Sequence, residues 1–208
     1  MFITFEGPEG SGKTTQYKCV VAALTAAGYD VLATREPGGT SISEQVRDIL
    51  LNRLDNTAMT PQAEALLFSA ARAQHVHELI QPALAAGRIV LCDRFYDSTL
   101  AYQGYGHGLD LAALHQITAF ATGGLKPDLT VYLDCPPEVG LQRKIDQAEW
   151  NRLDALDIAF HQRVYAGFGA LCAADPERWL VVDATPEPNT VFTAIMAALG
   201  QRGLAVPG

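Results

Sequence analysis

Short apolar runs alternate along the chain with longer segments in which apolar residues recur every three or four positions. The short runs predict five β-strands, at residues 2–6, 31–35, 89–92, 129–133 and 180–182. The longer segments predict helices at 13–27, 43–54, 60–86, 97–105, 110–122, 154–174 and 187–199, and Pro136-Pro137 opens one more. Strands that alternate with helices in this way predict an α/β fold, with a five-stranded parallel sheet flanked by helices on both faces.

Residues that begin or interrupt helices refine this pattern. Ser41 or Ser43 is expected to cap the second helix, and Thr60, followed by Pro61, is expected to begin the third. Pro82 lies inside the third helix and is expected to kink it, since proline donates no backbone hydrogen bond. A charge-rich interruption at about 142–153 fits either a solvated loop or a mobile lid over a phosphate site.

Composition narrows the class of protein. The 208 residues are 49% hydrophobic, without a repeat or linker, which predicts one domain over residues 1–208. There is no 18-residue apolar stretch and no basic leader, so we expect neither membrane association nor secretion. Four cysteines without a C-x-x-C pair fit the reducing cytoplasm. The net charge of −8 argues against a nucleic-acid partner.

One motif carries a specific chemistry. Residues 7–14, GPEGSGKT, match the phosphate-loop pattern G-x-x-x-x-G-K-[ST] in full, between a predicted strand and a predicted helix. Backbone N–H groups of such a loop surround the β-phosphate of a nucleotide, and the helix N-terminus adds positive potential. Lys13 is expected to bridge the β- and γ-phosphates, and the Thr14 hydroxyl to bind Mg²⁺. The guanine motifs N-K-x-D and D-x-x-G do not occur, which leaves a kinase or an ATPase.

Two residue pairs with helical spacing could bind a base. Phe68 and Arg72 lie four apart, so a stacking ring and a guanidinium that donates to a carbonyl share a face. Thr99 and Gln103 are also four apart, beside Tyr102. From spacing alone, a core phenylalanine beside a surface arginine is the favoured interpretation of the first pair. A polar exposed helix face explains the second pair equally well.

Three strings together resemble the thymidylate kinase family: residues 5–15 (FEGPEGSGKTT), 34–40 (TREPGGT) and 93–104 (DRFYDSTLAYQG). The first is common to many phosphate-loop proteins, whereas the other two are specific to this family among nucleoside monophosphate kinases. Residues 151–154 (NRLD), followed by Phe160-His161, are similar to the family's lid and next helix. The resemblance implies the phosphate-loop kinase fold, a homodimer, and Mg²⁺-dependent transfer of the γ-phosphoryl group of ATP to dTMP, which gives dTDP for dTTP biosynthesis.

The resemblance also implies a role for each matched residue of the acceptor site. Phe68 would stack on thymine, Arg72 would donate to its O4, and Thr99 and Gln103 would contact the ring edge. Tyr102 would pack against the deoxyribose where a 2′-hydroxyl would sit, which selects deoxynucleotides by exclusion. The other acceptor-side residues that the resemblance implies are Glu9, Arg35, Glu36, Pro37, Arg47, Arg94 and Ser98.

Catalysis in this family is alignment plus charge stabilisation. The resemblance implies that Lys13, Arg94 and a lid arginine surround the migrating phosphoryl group. Gly10 stands where one branch of the family has an arginine, so the chain resembles the bacterial-type branch, with Arg152 as the lid arginine and Arg143 stacked on adenine. The remaining residues implied to bind ATP or its metal are Gly7, Pro8, Glu9, Ser11, Gly12, Thr14, Thr15 and, through a water, Asp93.

Two other functions stay open on the residues alone. One is a phosphate-loop kinase for another monophosphate, a deoxynucleoside or a small metabolite; a purine or cytosine acceptor would require a different donor set at Arg72. A non-catalytic ATP-binding module would use the nucleotide as a switch and release free phosphate. The arginines grouped around the predicted acceptor site favour an enzyme that binds a second phosphate.

Overall fold

Five parallel strands form the centre of the protein, in the order β2-β3-β1-β4-β5. A computed structural model describes residues 1–52, 58–147 and 156–204 of the chain. The sheet confirms the predicted fold class. The strands are β1 (Phe2–Glu6), β2 (Val31–Arg35), β3 (Ile89–Asp93), β4 (Leu129–Asp134) and β5 (Trp179–Asp183).

The central strand β1 is buried on both faces, although it carries the polar residues Thr4 and Glu6. Successive side chains of a strand point to opposite faces, so Ile3 and Phe5 enter one core and Phe2 enters the other. Leu24 and Ile195 cover the first face, while Ile80 and Leu114 are among the residues that cover the second. Helices on both faces leave only the strand ends open to a ligand.

The helices follow the predicted order. They are α1 (Lys13–Ala26), α2 (Ser41–Arg47), α3 (Pro61–His75), α4 (Gln81–Ala85), α5 (Tyr96–Thr99), α6 (Leu111–Thr122), α7 (Pro137–Gln147), α8 (Ile158–Ala174) and α9 (Pro188–Gln201). Within the described ranges, no helix combines the length and the apolar character needed to cross a membrane.

The caps of α2 and α3 differ in how well the sequence predicts them. Thr60 caps α3 as predicted, because its Oγ1 accepts from the backbone N–H of Ala63 at 3.2 Å. The prediction for α2 is wrong: Thr40 is the cap, and its Oγ1 accepts from the N–H of Ser43 at 3.3 Å. Ser43 is buried instead, where its hydroxyl donates to the carbonyl of Ala71 over 2.8 Å.

Three helical segments continue as π-helical turns, at Asp48–Asn52, Val76–Ile80 and Leu100–Gly106. The turn at Val76–Ile80 lies just ahead of Pro82, where a kink is predicted. Proline cannot donate to the carbonyl four residues back, and a wider turn accommodates that missing hydrogen bond. The turn at Leu100–Gly106 lies beside the site described below, where such turns are common.

Part of the interruption predicted at about 142–153 is helical in the structure. α7 extends to Gln147, so residues 142–147 are helical rather than a loop. α8 begins at Ile158 rather than at 154, because Asp157 caps it by accepting from the N–H of Phe160 at 2.7 Å. Residues 148–155, which include the predicted lid residue Arg152, lie outside the described residues.

A buried ion pair joins the segment after β3 to the start of β5. Arg178 donates through Nη1 and Nη2 to the two carboxylate oxygens of Asp97, at 2.7 and 2.9 Å. Its Nη1 also donates to Thr130 Oγ1 on β4 at 2.7 Å. Its guanidinium lies 4.9 Å from the centre of the Trp179 ring. Asp97 is fully buried, so Arg178 is the charge that compensates for its removal from water.

Candidate active site

Two cavities lie at the carboxyl edge of the sheet. One, of about 340 Å³, extends from the ends of β2 and β3 towards α3. The other, of about 590 Å³, follows the phosphate loop. Residues that line both are Glu9, Lys13, Thr14, Arg94 and Lys144. Molecules bound in the two cavities would therefore meet at these side chains.

The phosphate loop packs directly against α7. Gly10 and Gly12 have φ angles of +67° and +77°, in the left-handed region that favours glycine. A Cβ added to Gly10 would overlap the carbonyl oxygen of Gly140 in α7. An arginine at position 10 would displace that helix, which gives a physical reason for the glycine in this chain. Of residues 7–15, Gly7 alone does not line the second cavity.

Lys13 forms a buried ion pair with Asp93 at the end of β3. Burial lowers the pKa of Lys13. Burial alone would raise the pKa of Asp93, but Lys13 and Arg94 hold it below its ordinary value. The Thr14 hydroxyl donates to the other oxygen of Asp93 at 2.9 Å. The carboxylate is therefore ionised and orients both residues of the phosphate loop.

Arg94 adopts a left-handed backbone conformation, with φ of 69°, which is uncommon for a residue with a side chain. Its Nη1 donates to the carbonyl of Gly7 at 3.0 Å and to Ser98 Oγ at 3.1 Å. Its Nη2 donates to Glu9 at 2.9 Å. Burial opposes its charge, but Tyr102 and the surrounding carboxylates raise its pKa. These contacts hold a permanent positive charge where the two cavities join.

Glu9 ties the phosphate loop to three other elements. Its Oε1 accepts from Tyr102 Oη and from Arg94 Nη2, each at 2.9 Å, and its Oε2 lies 3.9 Å from Lys144 Nζ on α7. Burial would raise the pKa of Glu9, but Arg94, Lys144 and Lys13 lower it. Lys144 therefore belongs to the site, although the sequence gives no signal that separates it from its charged neighbours.

The far end of the first cavity is built around Arg72. Its Nε donates to Glu36 Oε2 at 2.7 Å, and its Nη2 donates to Thr99 Oγ1 at 3.1 Å. The remaining nitrogen, Nη1, is buried and finds no partner among the described residues. Phe68 lines the same cavity one helical turn earlier. The pair that spacing suggested thus faces one cavity, with a guanidinium donor still available.

Glu36 is itself held by His75. His75 Nδ1 lies 3.0 Å from Glu36 Oε1, and its Nε2 lies 2.7 Å from Thr34 Oγ1. All three residues are buried. A chain of hydrogen bonds from β2 therefore fixes the guanidinium of Arg72.

The π-helical turn at Leu100–Gly106 brings neighbouring residues to the same cavity. Thr99, Tyr102 and Gln103 all line it, together with Ser98. Tyr102 and Gln103 are adjacent in the chain, and both line the first cavity. The helical spacing alone paired only Thr99 with Gln103.

Two arginines that the resemblance assigns to the acceptor site, Arg35 and Arg47, line the first cavity beside Pro37. Arg47 donates to the carbonyl of Pro37 at 2.8 Å, and burial together with Arg35 lowers its pKa. Arg35 is half-exposed and pairs with Glu44 at 2.9 Å. Arg47 therefore faces the cavity and is not an ordinary surface cation.

The second cavity is closed by the segment after β5, which sequence reasoning missed. Arg143 donates through Nη1 to the carbonyl of Ala184 and through Nη2 to that of Thr185, both at 3.0 Å. Residues 184–188 line the cavity. A signal was present, because this segment leaves the sheet at the carboxyl edge, where ligands of such folds bind.

Glu6 is a buried carboxyl group directly behind Arg94. Burial, with Asp97 nearby, raises its pKa to about 7. It accepts from the N–H of Phe95 at 2.8 Å and from Ser98 Oγ at 2.6 Å. The raised pKa means that the folded protein binds the Glu6 proton more tightly than the unfolded chain does.

We expect Glu6→Gln to flatten the pH dependence of stability. In the native chain, ionisation of Glu6 costs free energy, on the order of 3 kcal/mol above pH 7, and the cost disappears as the pH falls towards 4.5. The unfolding free energy of the native chain, relative to Glu6→Gln, should therefore rise from pH 8 to pH 5. Urea unfolding at several pH values measures this, with the exposed Glu177→Gln as control. Parallel curves for the native chain and Glu6→Gln would contradict the raised pKa.

The sheet, the phosphate loop after β1 and the first cavity on the other side of Lys13 and Arg94 define a phosphate-loop phosphotransferase of the nucleoside monophosphate kinase type. The family model described as Thymidylate kinase matches residues 5–195. The chain belongs to the thymidylate kinase family.

Individual relatives match the chain over nearly its full length. A thymidylate kinase from Roseiflexus castenholzii is 57% identical, over 100% of this chain and 96% of that protein. One from Deinococcus radiodurans is 51% identical, over 98% of each. The crystal structure of thymidylate kinase from Ehrlichia chaffeensis superimposes with a TM-score of 0.79 at 35% identity, over 96% of this chain and 98% of that one.

Proposed function

We propose that dTMP binds in the first cavity and ATP in the second, so that the γ-phosphoryl group meets the acceptor phosphate where the cavities join. As a member of its family, the chain phosphorylates dTMP to dTDP with ATP as the donor. The observation that carries the assignment of the sites is the junction itself. Lys13 and Arg94 line both cavities, so each can contact a phosphate from either side.

The base-binding end supports thymine as the acceptor base. Phe68 offers a ring for stacking, and Arg72 offers a buried donor for O4. Tyr102 is held by Glu9 at 2.9 Å, where we propose that it excludes a 2′-hydroxyl. A cytosine amino group would face the Arg72 guanidinium, and two hydrogen-bond donors cannot pair.

Transfer requires no strong general base, because the dTMP phosphate oxygen is already ionised near neutral pH. We assign charge stabilisation to Lys13 and Arg94, and retain Arg152 as the lid cation. The two hydrogen bonds of Arg143 to residues 184–185 support its contact with adenine, since they hold the guanidinium at the second cavity.

The residues present fit a magnesium ion shared with ATP. Thr14 Oγ1 and Asp93 Oδ2 are hard oxygen donors that lie 2.9 Å apart. Across the described ranges, no group of three or more His, Cys, Asp or Glu side chains is placed to hold a metal ion. The phosphates of ATP would therefore supply further ligands. We propose Thr14 as the direct ligand and Asp93 as a ligand through water. The bound ion would neutralise charge on the phosphates.

Arg72→Lys is expected to weaken dTMP binding by about tenfold or more and leave ATP binding unchanged. A lysine has its donors on one nitrogen, which cannot lie within hydrogen-bond distance of Glu36, Thr99 and O4 together, because these acceptors surround three separate guanidinium nitrogens. Calorimetric titration with dTMP and, separately, with a non-hydrolysable ATP analogue measures both. Arg88→Lys, at an arginine that lines neither cavity, serves as the matched control. Equal losses for the two nucleotides would contradict a base-specific role.

A homodimer is part of the proposal and has support in an exposed apolar face. Phe120 is 91% exposed, Leu66 55% and Ile42 53%, and they lie on the neighbouring helices α6, α3 and α2. We expect Phe120→Glu to convert a dimer into a monomer, measured by light scattering after size exclusion. Ile158→Glu, at another exposed apolar residue, should not. A monomeric native chain would contradict the dimer.

We also propose a cytoplasmic location.

A further inference from the structure

The amide nitrogen of Gln103 is directed at a residue that does not line the first cavity. Its Nε2 donates to Glu64 Oε1 over 2.7 Å, and both side chains are about 1% exposed. Gln103 itself lines the cavity, and its Oε1 accepts from no described residue. We infer that Glu64 sets the hydrogen-bonding polarity of the base site, because it fixes the Gln103 amide with its carbonyl oxygen towards the base.

When Glu64 is ionised, the chemistry of the pair allows only this orientation. A carboxylate can only accept hydrogen bonds, whereas an amide offers an acceptor at one end and donors at the other. An amide without a fixed neighbour can turn either end to a ligand. Glu64 removes that choice, since only the NH₂ end of Gln103 can meet a carboxylate.

The fixed orientation matches thymine and opposes cytosine. This step rests on the proposed function, in which Arg72 donates to O4 of the base. Thymine carries a donor at N3–H beside that acceptor, and the Gln103 oxygen is the acceptor it requires. Cytosine has an acceptor at N3, so its N3 would face the Gln103 oxygen without a proton between them. A site that leaves such groups unpaired rejects the wrong base strongly.

Glu64 is well placed for this positioning role. Glu64, Phe68 and Arg72 follow one another at intervals of four along α3, so one helix face carries all three. His107, at the end of the π-helical turn that carries Gln103, has Nε2 3.4 Å from Glu64 Oε1. The carboxylate therefore connects the helix of the stacking ring to the turn of the amide.

The first test replaces Glu64 with methionine, which has a similar length and no acceptor of comparable strength. The ratio of kcat/KM for dTMP to that for dCMP should fall by about tenfold or more, mainly through the KM for dTMP, while the KM for ATP stays unchanged. Glu64→Gln should lose part of the ratio, because its amide can meet either end of the Gln103 amide and no longer fixes which end faces the base. The exposed Glu78→Met is the matched control.

The second test exchanges the two groups and does not depend on the methionine variant folding. Gln103→Glu alone sets two carboxyl groups face to face and should lower kcat/KM for dTMP. Adding Glu64→Gln restores a donor-acceptor pair, with a carboxylate oxygen at position 103 towards N3–H. The double variant should therefore recover at least tenfold over Gln103→Glu, and keep its preference for dTMP.

The outcomes separate the inference from the proposed function. A native chain without preference for dTMP would overturn the proposed base site itself. A native preference that survives in a folded Glu64→Met variant within twofold would overturn only the role of Glu64. A double variant no better than Gln103→Glu would do the same, since a purely structural carboxylate predicts additive losses.

Discussion

Replacement of Arg94 by alanine is expected to lower kcat by about 10³-fold, the magnitude seen when a residue that stabilises charge on a transferring phosphoryl group is removed. Arg94 lines both cavities, and its guanidinium is fixed by Gly7, Ser98 and Glu9 at 2.9–3.1 Å. A charge held this rigidly needs no reorganisation when the phosphoryl group arrives. The KM values should change much less than kcat, because other residues bind the base and adenine.

Steady-state kinetics with ATP and dTMP measures the effect. Arg88→Ala is the matched control, since Arg88 pairs with Asp30 on the surface and lines neither cavity. A melting temperature for Arg94→Ala near that of the native chain would show that the fold is intact. A kcat within tenfold of native in a folded Arg94→Ala protein would contradict the assigned role.

Replacement of Asp97 by alanine is expected to lower the unfolding free energy by about 3–5 kcal/mol, the usual cost of removing one member of a buried ion pair. The variant leaves Arg178 with its charge between β4 and the segment after β3, without the two oxygens that it contacts at 2.7 and 2.9 Å. Because that segment begins at Arg94, activity should be lost at a lower temperature as well.

Asp30→Ala provides the comparison for Asp97→Ala. Asp30 also pairs with an arginine, at 2.9 Å, but its carboxylate is 72% exposed. Exposed pairs contribute about 1 kcal/mol or less. Urea unfolding of both variants, with equal m-values, isolates the contribution of burial. Similar losses for the two would show that the Asp97 pair stabilises the fold no more than a surface pair does.

Local patterns were sufficient to predict the strands, most helices and the phosphate loop. The β-type run at Phe2–Glu6 and the glycines that follow specify a strand, a tight loop and a helix over residues 2–26. The spacing of apolar residues and the positions of glycine and proline are properties of the local sequence, so no tertiary information is needed to read them. The same holds for Thr60, whose cap depends only on residues 60–63.

Features that depend on distant contacts could not be predicted in this way. The π-helical turn at Leu100–Gly106 has the same local signature as an α-helix, and only packing decides between them. Asp97 meets Arg178 across 81 positions, and Gln103 meets Glu64 across 39. Thr40 rather than Ser43 caps α2, because the Ser43 hydroxyl donates to the carbonyl of Ala71 on α3.

The acceptor site lies between these two cases. Spacing paired Phe68 with Arg72, but the interpretation as a base site came from the resemblance to a family. The structure brings both to one cavity and adds Lys144 and His75, whose roles depend on carboxylates far away in the chain. Sequence alone shows which residues could share a face, whereas the packing shows what that face contacts.

The most direct test of the account is release of ADP from ATP and Mg²⁺ with a panel of acceptors: dTMP, dUMP, the ribose form of TMP, dCMP, dGMP and AMP. The phosphorylated product is identified in each case. We predict strong preference for dTMP, with dTDP as the product and the ribose form rejected at Tyr102. Phosphorylation of another monophosphate in preference to dTMP would contradict the base site, and release of free phosphate without transfer to any acceptor would contradict the kinase itself.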